Sequence, residues 1–415
     1  MAKKNLLSII GPGILIAATG VGAGDLATAA FTGAKLGMAI LWVVVLGAFF
    51  KFVLNEGLAR WQLATGSTLL EGAMHLLGRP AQYGFLVYFL AWSFMVAAAL
   101  MAACGAAAQA IFPISPDPST GKMIYGIGHS LVGLALVYFG GYRLFEKVMG
   151  VCIVLMFFTV ISTAILLAPD WRAILSGLLL PSIPEFGGEG LAWTVALMGG
   201  VGGTVTVLCY GYWIREEGRK TPEDLSISRI DLATGYFMTA LFGLAMVVIG
   251  SRIQVEGHGA SLIINLSDML GRELGPVGQW MFLIGAWGAI FSSLLGVWQS
   301  VPYIFADLWR LIQGKNASSQ QTIDIKSKFY RWYLYGLATI PMIGLWVGFA
   351  QMQKFYAIIG ALFMPMLALT LLLLNGRAKW IGEQHRNHPL TTMTLIFILL
   401  FFLMAGGLTV QKIWG

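Results

Sequence analysis

An aspartate stands almost alone in the first hydrophobic segment of this chain. Residues 9–34 are otherwise apolar or small, and Asp25 lies in a run with Gly20, Gly22 and Gly24. A charged side chain at membrane depth costs about 2.5–3.5 kcal/mol on insertion scales, so such a residue usually faces a cavity and has a function. The glycines favour an interrupted helix whose freed backbone groups lie beside the carboxylate. An acid beside a broken helix indicates a transport site, although a structural ion pair with a basic neighbour would also explain it.

The composition is that of a polytopic membrane protein. Hydrophobic residues make up 58% of the chain and charged residues 11%, with a mean hydropathy of +0.78, whereas a soluble domain has about 25% charged residues. We find no nucleotide-binding loop, catalytic triad or metalloprotease helix, so we expect neither an enzyme nor a resident cofactor. The sequence therefore predicts an all-α protein in the lipid bilayer.

Eleven segments are long and apolar enough to cross about 30 Å of hydrocarbon. The predicted spans are 9–34, 38–62, 82–112, 123–140, 143–168, 189–214, 229–252, 277–309, 329–349, 354–375 and 391–411. The whole chain, residues 1–415, is interpreted as a single transporter domain.

The basic residues orient the predicted spans. The densest clusters lie at 215–220, 310–331 and 377–386, on alternate loops, as the positive-inside rule requires of cytoplasmic loops. We therefore expect the N-terminus in the cytoplasm and, after an odd number of spans, the C-terminus outside, in a bacterial-type inner membrane. The net charge of +7 then reflects topology, and no nucleic-acid partner is needed to explain it.

The sixth predicted span carries a second glycine-rich interruption. Residues 198–206 read Met-Gly-Gly-Val-Gly-Gly-Thr-Val-Thr, five spans after the interruption at Asp25. Because five is odd, the second half would enter the membrane with opposite polarity, and matched interruptions in two inverted halves point to a central binding site. Close helix packing by small residues is the simpler explanation of either stretch alone. Their matched positions predict two repeats, about 9–168 and 189–375, followed by an extra helix at about 391–411.

Several motifs resemble those of the Nramp (natural resistance-associated macrophage protein) family of divalent-metal transporters. Their order and spacing carry the resemblance through at least ten spans. They are Gly11-Pro-Gly13, Leu41-Trp42, Leu58-Ala-Arg60, Ala64-Thr-Gly66 with Leu70-Glu71, Gly141-Tyr-Arg143 with Glu146, and Met364-Pro365 with Leu373-Leu-Asn-Gly-Arg377. The resemblance implies a LeuT-like fold of five plus five inverted helices, here with an eleventh, in which the first and sixth helices are broken at mid-membrane.

The chain departs from the family at its metal motifs. Anchored on Ala27-Thr28, the positions of the first-span motif D-P-G-N hold Gly22, Ala23, Gly24 and Asp25, so the acid has moved by three residues. In the sixth span the methionine position is Thr206 and the histidine position is Leu208. A second family histidine aligns with Trp213, and third-span acids that assist proton movement align with Ala99 and Ala102.

These departures predict a different ion preference. A thioether suits transition metals, whereas carboxylate, hydroxyl and carbonyl oxygens suit hard cations. We expect Asp25, Thr206 and the backbone carbonyls near Gly22 and Gly203 to bind a divalent cation such as Mn²⁺ or Mg²⁺, with Thr204 and Gln299 adding to the substrate site. Without the histidines and the third-span acids, inward transport uncoupled from protons is predicted. Gln299 could equally be an interhelical hydrogen-bonding residue.

Lys51, in the middle of the second span, leaves an alternative open. It could reach the membrane surface or pair with Glu56, but a positive charge near the pathway would repel a metal. The alternative function is a transporter of a small organic solute on the same scaffold, with Lys51 assisting and no metal bound. A non-transporting membrane sensor is a third class, disfavoured because no sizeable soluble domain is appended. We expect the protein to be monomeric.

Overall fold

Helices account for 86% of the residues described by a computed structural model. The structure describes residues 10–167, 169–186, 189–252, 261–314, 323–347, 356, 359–360 and 362–414, and for residues 23, 261–262 and 405–414 only the backbone. No strand occurs among these residues. The α-helices are α1 Gly11–Gly20, α2 Ala23–Leu36, α3 Leu41–Thr65, α4 Leu69–Ile111, α5 Pro118–Leu166, α6 Trp171–Leu179, α7 Gly190–Gly200, α8 Cys209–Glu216, α9 Leu225–Ser251, α10 Ser261–Ile312, α11 Lys328–Thr339, α12 Phe363–Leu374, α13 Ala378–Ile381 and α14 Pro389–Trp414.

The first predicted span is two helices rather than one. Helix α1 ends at Gly20, and Gly22 is extended (φ −113°, ψ −162°) before α2 begins. The sixth span is likewise divided between α7 and α8, with Gly202 and Gly203 at φ +79° and +81° and a 3₁₀ turn at Val205–Leu208. These left-handed conformations suit glycine because it has no Cβ. Both predicted spans are thus interrupted at their glycine runs, as the sequence predicts, and the left-handed conformation occurs in the second run.

Other long helices bend at single glycines. Gly78, Gly141 and Gly275 have φ values of +75°, +62° and +72° inside α4, α5 and α10. The bend at Gly141 separates the fourth and fifth predicted spans at the place where the sequence put their boundary. The helical residues 69–77 before Gly78, 261–274 before Gly275, and helix α6 were not predicted as helices. None of them is an apolar segment long enough to cross a membrane.

Among the described residues, six helical stretches are long and apolar enough by length and composition to cross a membrane. They are Gly24–Thr65, Leu69–Ile111, Pro118–Leu166, Gly190–Glu216, Pro222–Ser251 and Ile263–Ile312. Shorter apolar helices are Gly11–Gly20, Phe363–Leu374 and Pro389–Met404. The predicted tenth span, 354–375, lies partly outside the described residues. The number of crossings, the inverted repeat and the predicted repeat boundaries stay predictions.

The two interruptions meet within the packed helices. Helix α9 packs along α1, α2 and α3, while α10 packs along α4 and α5 and also contacts α1. A Cβ added to Gly20 would lie only 2.6 Å from the carbonyl carbon of Gly202. Only glycine at position 20 therefore lets the ends of the two broken helices approach so closely.

The predicted orientation can be tested with accessibility tags. Tags inserted within 113–122 or after Gly415 should be labelled by an impermeant reagent from outside the cell, because both lie after an odd number of predicted crossings. A tag directly after Gly314 should be labelled only in inverted vesicles. A C-terminal tag labelled only from the cytoplasm would show that a span was miscounted, and the inverted-repeat argument would then fail.

Candidate functional site

Asp25 connects the two interruptions. It lies in the first turn of α2, is 8% exposed, and its Oδ2 accepts a hydrogen bond from the Gly202 N–H at 3.1 Å. Its Oδ1 is near Gly200, where an added Cβ would be 3.5 Å away. An acid at the N-terminus of a helix is stabilised by the helix dipole. Part of the cost of burying this carboxylate is offset by that dipole and by the amide of the opposite broken helix.

Lys51 reaches the same unwound segment from α3. The residue is 1% exposed, and its Nζ donates to the Gly199 carbonyl at 3.2 Å and to the Gly203 carbonyl. Neither structural role that the sequence left open for Lys51 is found. Its side chain is buried rather than at the surface, and Glu56 forms ion pairs with Arg60 and Arg229 instead, at 3.2 and 2.7 Å. An acid and a base thus hold the α7–α8 interruption from two sides.

The two threonines of the sixth span flank this segment. Thr204 Oγ1 accepts a hydrogen bond from Trp92 Nε1 at 3.0 Å, and the Tyr356 hydroxyl lies beside it. Thr206 is in the 3₁₀ turn, with its Oγ1 2.4 Å from where a Cβ on Gly203 would be. The predicted site residues Asp25, Gly203, Thr204 and Thr206 therefore line one region around the two interruptions.

The backbone at the first interruption is already hydrogen-bonded. The Gly22 carbonyl accepts from the Leu26 N–H at 3.0 Å. The Ala18 and Thr19 carbonyls accept from the hydroxyls of Ser292 and Ser293 in α10, at 3.2 and 2.7 Å. A carbonyl oxygen has two lone pairs, so the Gly22 oxygen retains capacity for a second partner.

Gln299 lies in an interhelical network. Its Oε1 accepts from Trp213 Nε1 at 2.7 Å, and its amide donates to the Tyr303 hydroxyl at 3.4 Å. That hydroxyl donates in turn to Glu216 at 2.7 Å. The structure thus gives Gln299 the interhelical contacts that the sequence offered as one of two roles, while a role in the pathway stays a prediction.

The oxygen donors at the interruptions could bind a cation only as a mixed set. Within the described ranges there is no group of three or more His, Cys, Asp or Glu side chains arranged to hold a metal. The set is one carboxylate, the threonine hydroxyls and backbone carbonyls, all of them hard ligands.

The sequence did not predict the roles of Trp92, Ser292 and Ser293 at this site. The adjacent serines in an apolar run were the one available signal, because buried hydroxyls need partners.

Comparisons with known proteins give a consistent result. A family model described as natural resistance-associated macrophage protein-like matches residues 13–412. An uncharacterized protein of Pasteurella multocida is 24% identical, over 94% of this chain and 91% of its own length. The divalent metal cation transporter MntH of Verminephrobacter eiseniae is 25% identical, over 70% of this chain and 66% of its own length.

Solved structures share the fold. A mutant of the Eremococcus coleocola manganese transporter superposes with a TM-score of 0.73 at 18% identity, covering 99% of this chain and 88% of that chain. MhsT in complex with L-phenylalanine superposes with a TM-score of 0.63 at 14% identity, covering 97% and 98%. At such low identity these likenesses establish the architecture of the helices and nothing about the substrate.

Proposed function

This chain belongs to the Nramp family, and from that premise we propose that it is a membrane transporter that carries a hard divalent cation, Mn²⁺ or Mg²⁺, into the cell. Its relative MntH is named as a divalent metal cation transporter and its structural neighbour as a manganese transporter. The proposed location is a bacterial-type inner membrane, and the proposed working unit is a monomer. The cation is the substrate, so no resident cofactor is involved.

One observation carries the proposal. Asp25 is a buried acid at the N-terminus of α2 whose carboxylate also accepts the Gly202 amide, so it lies where two broken helices meet. Such interruptions near mid-membrane are where transporters coordinate ions with side-chain and backbone oxygens. The nearby hydroxyl of Thr206 and carbonyl of Gly203 extend an all-oxygen set, which suits Mg²⁺ and Mn²⁺ better than soft metals.

We further propose that transport is not coupled to protons. The positions where the family resemblance expects third-span acids hold Ala99 and Ala102, and both are buried. The two histidine positions hold Leu208 and Trp213, and Trp213 donates to Gln299. None of these four side chains can accept and release a proton near neutral pH.

A second candidate is supported by Lys51. Its ammonium contacts the Gly203 carbonyl, one of the oxygens assigned to the metal, and a positive charge there opposes a divalent cation. With Asp25 and Lys51 both charged, the site would be neutral and would suit a small organic solute with an anionic group. The absence of flux for every divalent cation would favour this second function.

The ion preference can be measured in proteoliposomes. With no thioether among the proposed ligands, Cd²⁺ should lose the advantage it has at sulfur-containing sites, and Mg²⁺ and Mn²⁺ should compete with similar strength for uptake. Uptake of each ion should be measured with and without an imposed proton gradient. The comparison of ions gives the selectivity, and the comparison of conditions tests whether transport is coupled to protons. Strong Cd²⁺ uptake with Mg²⁺ inert would contradict the hard-ligand site, and stimulation by a proton gradient would contradict uncoupled transport.

A further inference from the structure

Lys51 is a buried lysine whose amino group is hydrogen-bonded to backbone oxygens. It is 1% exposed, and the ion pairs of the described residues do not include it. A buried ammonium without a contacting acid is strongly destabilising unless hydrogen bonds compensate it. The carbonyls of Gly199 and Gly203 supply that compensation.

The two oxygens have the properties of a cation site. Gly199 is in the last turn of α7, where the helix dipole is negative. Gly203 lies in the unwound segment with φ +81°, so its carbonyl is not part of a helix and can turn toward a neighbouring cation. Backbone carbonyls at half-helix C-termini and unwound segments are the groups with which transporters coordinate small cations.

A neighbouring acceptor is also unpartnered. Asn55 is one helical turn from Lys51 on the same face of α3 and is completely buried. Its amide nitrogen donates to the Tyr236 hydroxyl at 2.9 Å, but its Oδ1 has no hydrogen-bond partner among the described residues. The ring of Tyr236 packs at Gly202. This face of α3 therefore carries an unpartnered amide oxygen one helical turn from Lys51.

We infer that the Gly199 and Gly203 carbonyls form a small-cation site, and that the tethered Lys51 ammonium is the cation that fills it. The chemical class that fits this site is a small monovalent cation. NH₄⁺ would bind the two carbonyls through its N–H groups, and K⁺ fits because its radius is similar. The Lys51 side chain, which extends from α3, takes the place of a diffusible ion and links α3 to α7. The interruption of the sixth helix is then neutralised without any ion from solution.

The inference rests on the proposed function in one respect. A divalent substrate that uses the Gly203 carbonyl must share it with Lys51 or displace the ammonium. Lys51→Met removes the charge and keeps an apolar stem of similar length, so apparent affinity for Mn²⁺ should rise about tenfold or more, the factor that corresponds to about 1.4 kcal/mol. Isothermal titration of the purified protein measures this change.

Chemical rescue tests the tethered cation without any metal. Lys51→Met leaves space for one ammonium at the former Nζ position, and Lys51→Ala leaves space for a short alkylammonium. The melting temperature of each variant in detergent should be below that of the wild type. Ammonium chloride should raise it for Lys51→Met, and n-propylammonium chloride for Lys51→Ala, in a saturable manner. Tetramethylammonium chloride, which has the charge but no N–H group and a much larger radius than ammonium, should not.

The matched control is Lys35→Ala, which removes an exposed lysine paired with Glu189 and should show no difference among the three salts. If Lys51→Ala cannot be recovered, the variant is instead purified in n-propylammonium chloride and, in parallel, in tetramethylammonium chloride. Recovery only in the former supports the site. Equal responses to all three salts in Lys51→Met overturn the inference. If rescue succeeds while no variant binds a divalent cation, the tethered cation stands and the proposed metal function fails.

Discussion

Asp25→Asn is expected to reduce divalent-cation binding and transport by several orders of magnitude while the protein stays folded. The amide has the size of the carboxylate, and its oxygen can still accept the Gly202 N–H that Asp25 accepts at 3.1 Å. What it loses is the negative charge that offsets dehydration of the ion, and no second acid of the described residues joins Asp25 in a metal-binding group. Flux into proteoliposomes, calorimetric binding of Mn²⁺ and the melting temperature in detergent should be measured on one preparation.

The matched control for this change is Asp117→Asn. Asp117 is an exposed acid that caps the N-terminus of α5, and asparagine is an equally good capping residue, so binding and stability should match the wild type. If Asp25 serves mainly to balance Lys51, then Asp25→Asn should instead lower the melting temperature sharply. A well-folded Asp25→Asn protein with undiminished binding would remove Asp25 from the site and refute the proposed function.

Local backbone chemistry explains what the sequence could predict. The interruption at Gly202 and Gly203 follows from the conformational freedom of glycine, which acts on the residue itself and needs no knowledge of its neighbours. The bend at Gly141 follows from the same property. Gly22 is extended in a conformation open to any residue, and it needs to be glycine because an added Cβ would lie 2.4 Å from the Ser293 hydroxyl oxygen. Apolar length likewise identifies helices, because every backbone polar group in hydrocarbon must be satisfied within its own segment.

Side-chain partners were harder to predict because they come from distant parts of the chain. Lys51 binds carbonyls about 150 positions away, and Trp213 finds Gln299 across 86 positions. Helical spacing alone disfavours the pairing of Lys51 with Glu56. Lys51 and Glu56 are five residues apart and lie on different faces of a helix, whereas Glu56 and Arg60 are four apart and form the observed ion pair.

The largest effect on stability is expected for Asp231→Asn. Asp231 is completely buried and forms an ion pair with Arg219 at 2.7 Å. The Arg219 side chain is only 2% exposed. The same carboxylate accepts the Gly13 N–H of α1 at 2.6 Å and the Tyr210 hydroxyl of α8 at 2.9 Å. Removing one partner of a buried pair leaves an uncompensated charge and costs about 3–5 kcal/mol, a large part of the roughly 5–15 kcal/mol that stabilises a typical protein.

The expected result is a fall of many degrees in the detergent melting temperature and poor recovery of folded Asp231→Asn protein. The control is Glu189→Gln, which removes the acid of the exposed pair with Lys35, because surface pairs contribute only about 0–1 kcal/mol. The double variant Asp231→Asn with Arg219→Gln tests the cause. If the penalty comes from the unneutralised guanidinium, removing that charge as well should restore part of the lost stability, even though both variants have lost the ion pair. A double variant no more stable than Asp231→Asn alone would assign the loss to the hydrogen bonds from Gly13 and Tyr210, and so to the attachment of α1 and α8 to α9.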